Sequence, residues 1–216
     1  MVASDLTPDT VFDEIRTKLL KTKKNPKYAY SVMLESCVSE KQIIFWNDLY
    51  GSDQINWKKT HINNFKCTIS TRIRSFYFKL FHRAIGLNDF LYKIKRKDSP
   101  NCSFCNTAPE TYKHLLIECP VVQPIWDKAV KLIIQKINKP LNVSTFEKMF
   151  GFDDDKFLTY LFLLLKYYIY ICKFQNKSPH FEGYKTYVAS NKDLEYCIAK
   201  KNNKLPFHLQ KWRFKL

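Results

Sequence analysis

The 216-residue chain carries 36 Lys/Arg against 20 Asp/Glu, a formal net charge of +16, while 45% of its residues are hydrophobic and 16% aromatic. That apolar content supports a core and excludes a disordered tail. The charge predicts attraction to polyanions, nucleic acid first and an anionic membrane surface second, and carries no information about fold.

The first residues, Met1-Val-Ala-Ser-Asp-Leu-Thr-Pro, have neither a basic opening nor a long apolar stretch, so no secretory leader is expected. Thr7-Pro8-Asp9 is expected to open a helix that runs to about Leu20 and ends in the lysine-rich stretch before Pro26. Tyr28 to Cys37 and Lys41 to Tyr50 are expected helices, the second carrying Trp46, and Gly51-Ser-Asp53 is a break. From Ile69 to Ile85 the period is helical: at 100° per residue Ile69, Ile73, Phe76, Leu80 and Ala84 share a face, and Gly86 supplies a stop. Pro124 starts a helix aligning Trp126, Val130, Ile133 and Ile137, ended by Asn138-Lys-Pro140. Ser144-Thr-Phe-Glu147 is a capping box opening a short helix toward Gly151.

A long helix is expected from Asp155 to about Phe174, with a break at Asn176-Lys-Ser-Pro179. Its apolar run, Phe157 to Ile171, contains Lys166 and falls short of the ~20 residues that span a bilayer, which predicts a buried helix and no membrane partner. Ser190-Asn-Lys-Asp193 reads as the cap of a last helix to about Asn202, and Pro206 precedes a basic, aromatic tail. No strand run or internal repeat stands out. The expected fold is mostly α, a helical domain with a small central zinc-knuckle loop of Cys-Cys-His-Cys type. Its expected parts are an N-terminal helical segment (1–52), a basic helix plus zinc-binding domain (53–127) and a C-terminal helical segment (128–216).

That central loop is the most specific motif in the chain. Cys102, Cys105, His114 and Cys119 spell Cys-x2-Cys-x8-His-x4-Cys. The cysteine pair fits one tight turn, and His114 and Cys119 fall about one helical turn apart, so four soft or borderline donors can converge on one tetrahedral Zn2+. A closed four-ligand shell leaves no seat for substrate or activated water, so the metal is expected to be structural. The turn formers Asn101, Ser103, Asn106, Thr107 and Pro109 let the first pair double back, and Glu110-Thr-Tyr-Lys-His114 reads as the start of a short helix. Cys37, Cys67, Cys172 and Cys197 stand alone in apolar surroundings and are expected to be buried thiols. An odd cysteine count clustered at ligand spacing points to a reducing, intracellular compartment, nucleus or cytoplasm.

Charge concentrates just before this loop. Between Lys58 and Lys97 stand eleven Lys/Arg against the single acid Asp89, a net of +10. Lys58, Lys59, Arg72, Arg74, Lys79, Arg83, Lys93, Lys95, Arg96 and Lys97 are the candidate nucleic-acid contacts. Tyr77, Phe78, His82, Phe90 and Tyr92 are interleaved with them, a mix that contacts phosphates while offering rings to unstacked bases, although several of these rings must be core.

The ordered landmarks Trp57-Lys-Lys, Ile73-Arg-Ser-Phe-Tyr-Phe-Lys-Leu-Phe-His82-Arg-Ala-Ile, Asn88-Asp-Phe-Leu-Tyr-Lys, Ser99-Pro-Asn-Cys102-Ser-Phe-Cys105, Glu110-Thr-Tyr-Lys-His114-Leu-Leu-Ile-Glu-Cys119-Pro and Ile125-Trp126 together resemble the zinc-binding segment behind the polymerase of LINE-type retrotransposon reverse transcriptases. The likeness covers roughly Ile43 to Trp126. Beyond it, the stretch Tyr167 to Phe174 and the pair Lys211-Trp212 are similar only in style to the ends of such polyproteins. The resemblance implies a module that grips template RNA or target DNA while polymerase and endonuclease reside elsewhere in the polyprotein, with a polymerase domain as a possible partner.

This chain is short for such a polyprotein and reads as non-catalytic. Phe152-Asp-Asp-Asp155 superficially resembles a polymerase carboxylate motif, but it directly precedes a helix, where acids act as cap and first-turn charge. No Gly-rich phosphate loop, Gly-x-Ser-x-Gly elbow or His-Glu-x-x-His helix occurs, and no small-molecule substrate is implied. The expected function is therefore a zinc-stabilised module binding RNA or single-stranded DNA. A zinc-stabilised protein-interaction module, or a fragment assisting a polymerase in trans, are the alternatives.

Overall fold

The structure, a computed structural model, describes residues 40–51, 55–137 and 140–213. Two compact units divide at 55/56. The described part of the first is helix α1 (Glu40–Tyr50), where Trp46 is buried with Phe45 edge-on to it at 4.9 Å between ring centroids. The helices expected over 7–20 and 28–37, and Cys37, lie outside the described residues.

The second unit contains α2 (Trp57–Lys66), α3 (Thr71–Phe81), α4 (Asn88–Lys93), a π-helical turn (His114–Glu118), α5 (Gln123–Ile137), α6 (Thr145–Phe150), α7 (Lys156–Phe174), α8 (Phe181–Lys201) and α9 (Leu205–Lys211). Among the described residues the only extended pairing is the single bridge Asn101–Pro109, so the fold is mostly helical.

Helix α7 is the axis of this unit. By length and composition it could cross a membrane, but α2, α3, α6, α8 and the π turn pack around it, and every side chain from Leu158 to Tyr167 is buried. Asp155 caps it, accepting from the backbone N–H of Phe157 and Leu158 at 2.9 Å each, which identifies this acid as a helix cap. Ser144 and Glu147 form the expected capping box of α6, and Gly151 ends that helix at φ 80°, a conformation that favours glycine.

Several expectations are corrected. Helix α3 spans Thr71–Phe81, not 69–85. It ends where Arg83 turns left-handed at φ 55° and Ala84 N–H reaches back to Lys79 O at 2.7 Å, so Arg83 stands where Gly86 was expected to act. Ser190-Asn-Lys-Asp193 lies inside the uninterrupted α8, because the Asn191 amide donates to Tyr187 O at 2.8 Å instead of capping. Residues 205–211 form α9, with Pro206 in its first turn, not a tail. Along α5 the buried stripe is Ile125, Trp126, Ala129 and Ile133, with Val130 and Ile137 only half-buried. Cys67 and Cys172 are buried as expected, but Cys197 is exposed on α8.

Two buried polar groups hold elements to this frame. The Glu195 carboxylate accepts from Lys211 Nζ at 2.8 Å and Trp212 Nε1 at 2.9 Å, and Lys211 Nζ also sits 3.8 Å from the Tyr160 ring centroid. Lys166, with no exposed surface, donates to the carbonyls of Lys148 and Met149 at 2.8 and 2.6 Å, closing the C-terminal end of α6. Burial lowers the Lys166 ammonium to about 7. Above that pH the folded chain has lost this proton while the unfolded chain keeps it up to its ordinary 10.5, so stability rises with pH by up to ~1.4 kcal/mol per unit. Urea denaturation at pH 7 and pH 9 of wild type and Lys166→Met should show the wild type gaining on the variant at the higher pH. Parallel behaviour would contradict a buried ammonium.

Candidate metal centre and its links to the basic segment

Residues 100–119 build the site from two pieces. In the first, Cys102 N–H donates to Ala108 O at 2.8 Å and Asn106 N–H to Cys102 O at 3.0 Å, with Asn106 at φ 56° allowing the chain to double back. Phe104 N–H lies 3.5 Å from Cys102 Sγ, and the Thr107 hydroxyl 3.2 Å from Cys105 Sγ, donors that favour thiolate over thiol.

The second piece is the π turn. Residues five apart on an α-helix lie roughly 140° apart around the axis, too far for His114 and Cys119 to face one ion. A backbone bond from Cys119 N–H to His114 O at 2.8 Å widens the turn by one residue, after which Cys119 leaves the helix at ψ 130°. The x4 spacing thus needs a π turn, not the ordinary helical turn expected from the sequence. Trp126 Nε1 donates to Leu116 O at 2.7 Å, fastening this turn to α5.

The four donor atoms lie within 4.8 Å of one another. Cys102 Sγ and Cys119 Sγ are 3.8 Å apart and Cys105 Sγ and His114 Nε2 are 3.2 Å apart. Tetrahedral Zn2+ with Zn–S ~2.3 Å and Zn–N ~2.0 Å requires ~3.8 Å between sulfurs and ~3.5 Å between sulfur and nitrogen, so the donor set fits that ion. Electrostatics divide the three thiols. Burial pushes the Cys119 thiol up to about 12 and also raises Cys102. At Cys105 burial acts upward, but hydrogen bonds from Thr107 and His114 outweigh it and bring the thiol to about 6. Burial thus keeps Cys102 and Cys119 as thiols on their own, and converting them to ligating thiolates in this volume would require a cation.

The sequence did not single out Glu110 as a hub, yet its fully buried carboxylate joins three elements. Oε2 accepts from Ser103 N–H at 2.8 Å and from the Ser103 hydroxyl at 2.6 Å, inside the cysteine turn. Oε1 accepts from Asn88 N–H at 2.9 Å, at the start of α4, and from the Lys173 ammonium on α7. Lys173 also donates to Gly86 O at 2.6 Å. Two further ties run the same way: the Asn88 amide donates to Asn101 O at 2.7 Å, and the Tyr112 hydroxyl donates to Arg83 O at 2.5 Å. The signal in the sequence was an acid immediately after a turn and four residues before a ligand.

The ten candidate contacts separate by environment. Lys59 is paired with Asp153 and Asp154 at 3.4 and 3.3 Å, and Arg74 Nε donates to Phe65 O and Thr68 O at 3.0 and 2.8 Å, holding the α2–α3 turn. Lys93 is paired with Asp89 one turn earlier. Lys58, Arg72, Lys79, Lys95, Arg96 and Lys97 are exposed, and Arg83 is half-buried. Of the interleaved rings, Tyr77 is core, Phe78 and His82 lie against each other, tilted, with centroids 4.3 Å apart, and Phe90 and Tyr92 project into solvent.

A family model described as zinc-binding in reverse transcriptase matches residues 28–126, a span that includes all four donors and the whole basic segment. No curated protein matches the chain.

Elemental analysis should find one zinc per chain, lost in Cys102→Ser/Cys105→Ser. Glu110→Gln, which removes the anionic partner of a buried ammonium, should cost ~3–5 kcal/mol in chemical denaturation. A variant as stable as wild type would remove Glu110 from its place as hub.

Proposed function

We propose that this chain is a zinc-stabilised, non-catalytic module of LINE-type reverse transcriptases that binds RNA or single-stranded DNA in a reducing compartment, alongside a polymerase domain carried elsewhere. The observation that carries the reading is the donor quartet at tetrahedral spacing, hydrogen-bonded through Glu110, Asn88 and Tyr112 to the segment where positive charge is concentrated. Zn2+ held by Cys102, Cys105, His114 and Cys119 would compensate the buried thiolates and close the loop. Structural zinc of this kind contributes ~10–16 kcal/mol of apparent free energy at neutral pH, enough to fix a loop with little core of its own.

The protein's residues do the binding. Lys58, Arg72, Lys79, Lys95, Arg96 and Lys97 are exposed cations available to phosphates. Catalysis is not assigned: Asp155 is consumed as a cap and Asp153 and Asp154 face Lys59, and four protein donors fill the metal's tetrahedral shell. RNA and single strands are favoured over a duplex major groove because no helix of finger type emerges from the metal loop. The protein-interaction alternative draws on Phe207 and Leu209, which stand exposed on α9.

Electrophoretic shifts with single-stranded RNA test the reading. If about six phosphates are contacted, affinity should fall ~10³-fold between 50 and 200 mM salt, and chelation should weaken binding. Absence of any shift at low salt would favour the protein-interaction alternative.

A further inference from the structure

Helix α4 is held at one end and free at the other. Asn88 is buried, with its backbone N–H on Glu110 and its amide on Asn101 O and, at 3.0 Å, the Ser103 hydroxyl. Past it the helix emerges: Phe90 is 52% exposed, Tyr92 48% and Ile94 47%, and every residue from 92 to 99 is exposed. Neither ring meets another aromatic ring among the described residues. At 100° per residue Phe90 and Ile94 share one flank and Tyr92 projects from the opposite one.

Three of the cations beside these rings are unpaired. Lys95, Arg96 and Lys97 have no ion-pair partner among the described residues, while the nearby acids are Asp89, paired to Lys93, and Asp98. The turn that presents them is fixed. Arg96 N–H bonds Leu91 O at 2.8 Å and Lys95 N–H bonds Tyr92 O at 2.9 Å, with Lys95 left-handed at φ 55°. Of the five non-glycine residues at positive φ among the described residues, three are asparagines, the usual occupants, and the other two are Arg83 and Lys95 at the ends of α3 and α4. A lysine held there is strained, as residues retained for a site often are.

We propose that the projecting end of α4 is a stacking site for unpaired bases, with Phe90 and Tyr92 each offering a ring and Lys95, Arg96 and Lys97 contacting the adjoining phosphates. The inference rests on the nucleic-acid reading above and assigns the preference for single strands to these two rings. Exposed aromatic rings flanked by cations take bases of any sequence, because every base has a π face. A duplex offers its phosphates to the lysines but keeps its bases stacked, so the rings gain nothing from it.

The test compares a fluorescein-labelled single-stranded RNA of about 15 nucleotides, within the range of such sites, with its own duplex, using zinc-loaded wild type, Phe90→Ala/Tyr92→Ala, Phe90→Tyr/Tyr92→Phe and Lys95→Gln/Arg96→Gln/Lys97→Gln. The expected result is a loss of at least about tenfold in single-strand affinity for the alanine pair, with duplex affinity and melting temperature unchanged. The aromatic swap should bind like wild type, and the glutamine triple should lose single strand and duplex alike. Wild-type binding that the alanine pair leaves unchanged, or weakens equally for single strand and duplex, would overturn this proposal alone and leave the rings to a protein contact. No binding by wild type would overturn the nucleic-acid reading along with it.

Discussion

Three cysteine sulfurs and an imidazole nitrogen lie within 4.8 Å of one another, an arrangement that as thiolates would need a cation among them, and the geometry of residues 100–119 serves that convergence. The cysteine turn, the left-handed Asn106 and the widened turn from His114 to Cys119 each bring one donor to a common point. None of these local features is favoured on its own. A π turn is a poor way to continue a helix, and burial raises two of the thiols well away from the thiolate form. The free energy of metal binding would be enough to make this arrangement the stable one.

Glu110 carries that local order outward. It is a buried carboxylate with four hydrogen bonds to three separate elements, and such a group tolerates little displacement, since any lost partner leaves desolvated charge behind. The cysteine turn, the start of α4 and the end of α7 are thereby fixed relative to one another. Elsewhere the same device recurs: Lys211 and Trp212 converge on Glu195, and Lys166 closes α6 from inside the core helix. Charged groups thus set the positions of elements whose apolar faces would permit sliding.

What the sequence made legible follows from which signals are local. The quartet of ligands, the capping box at Ser144, the cap at Asp155 and the apolar run of α7 are each written in a few adjacent residues, and the structure shows them there. Helix α2 was missed because its inward face is polar: Thr60, His61, Asn63 and Asn64 are buried, with the Asn63 and Asn64 amides donating to Asp153 O and Phe150 O at 2.8 and 2.5 Å. Hydrophobic periodicity has nothing to register on such a face. Helix ends at Arg83 and Lys95 were equally hidden, since a left-handed Arg or Lys gives no sign comparable to glycine. The division of the basic segment into engaged and free cations depends on partners up to 95 residues away, such as Asp154 for Lys59, which no local pattern contains.

The central claim is that the metal orders the basic segment through Glu110 and Asn88, and amide hydrogen exchange measured before and after chelation tests it most directly. The account predicts that removing zinc deprotects residues 101–119 and Asn88–Arg96 together while the middle of α7 stays slow to exchange. Deprotection confined to 101–119, with α4 as protected as before, would contradict it.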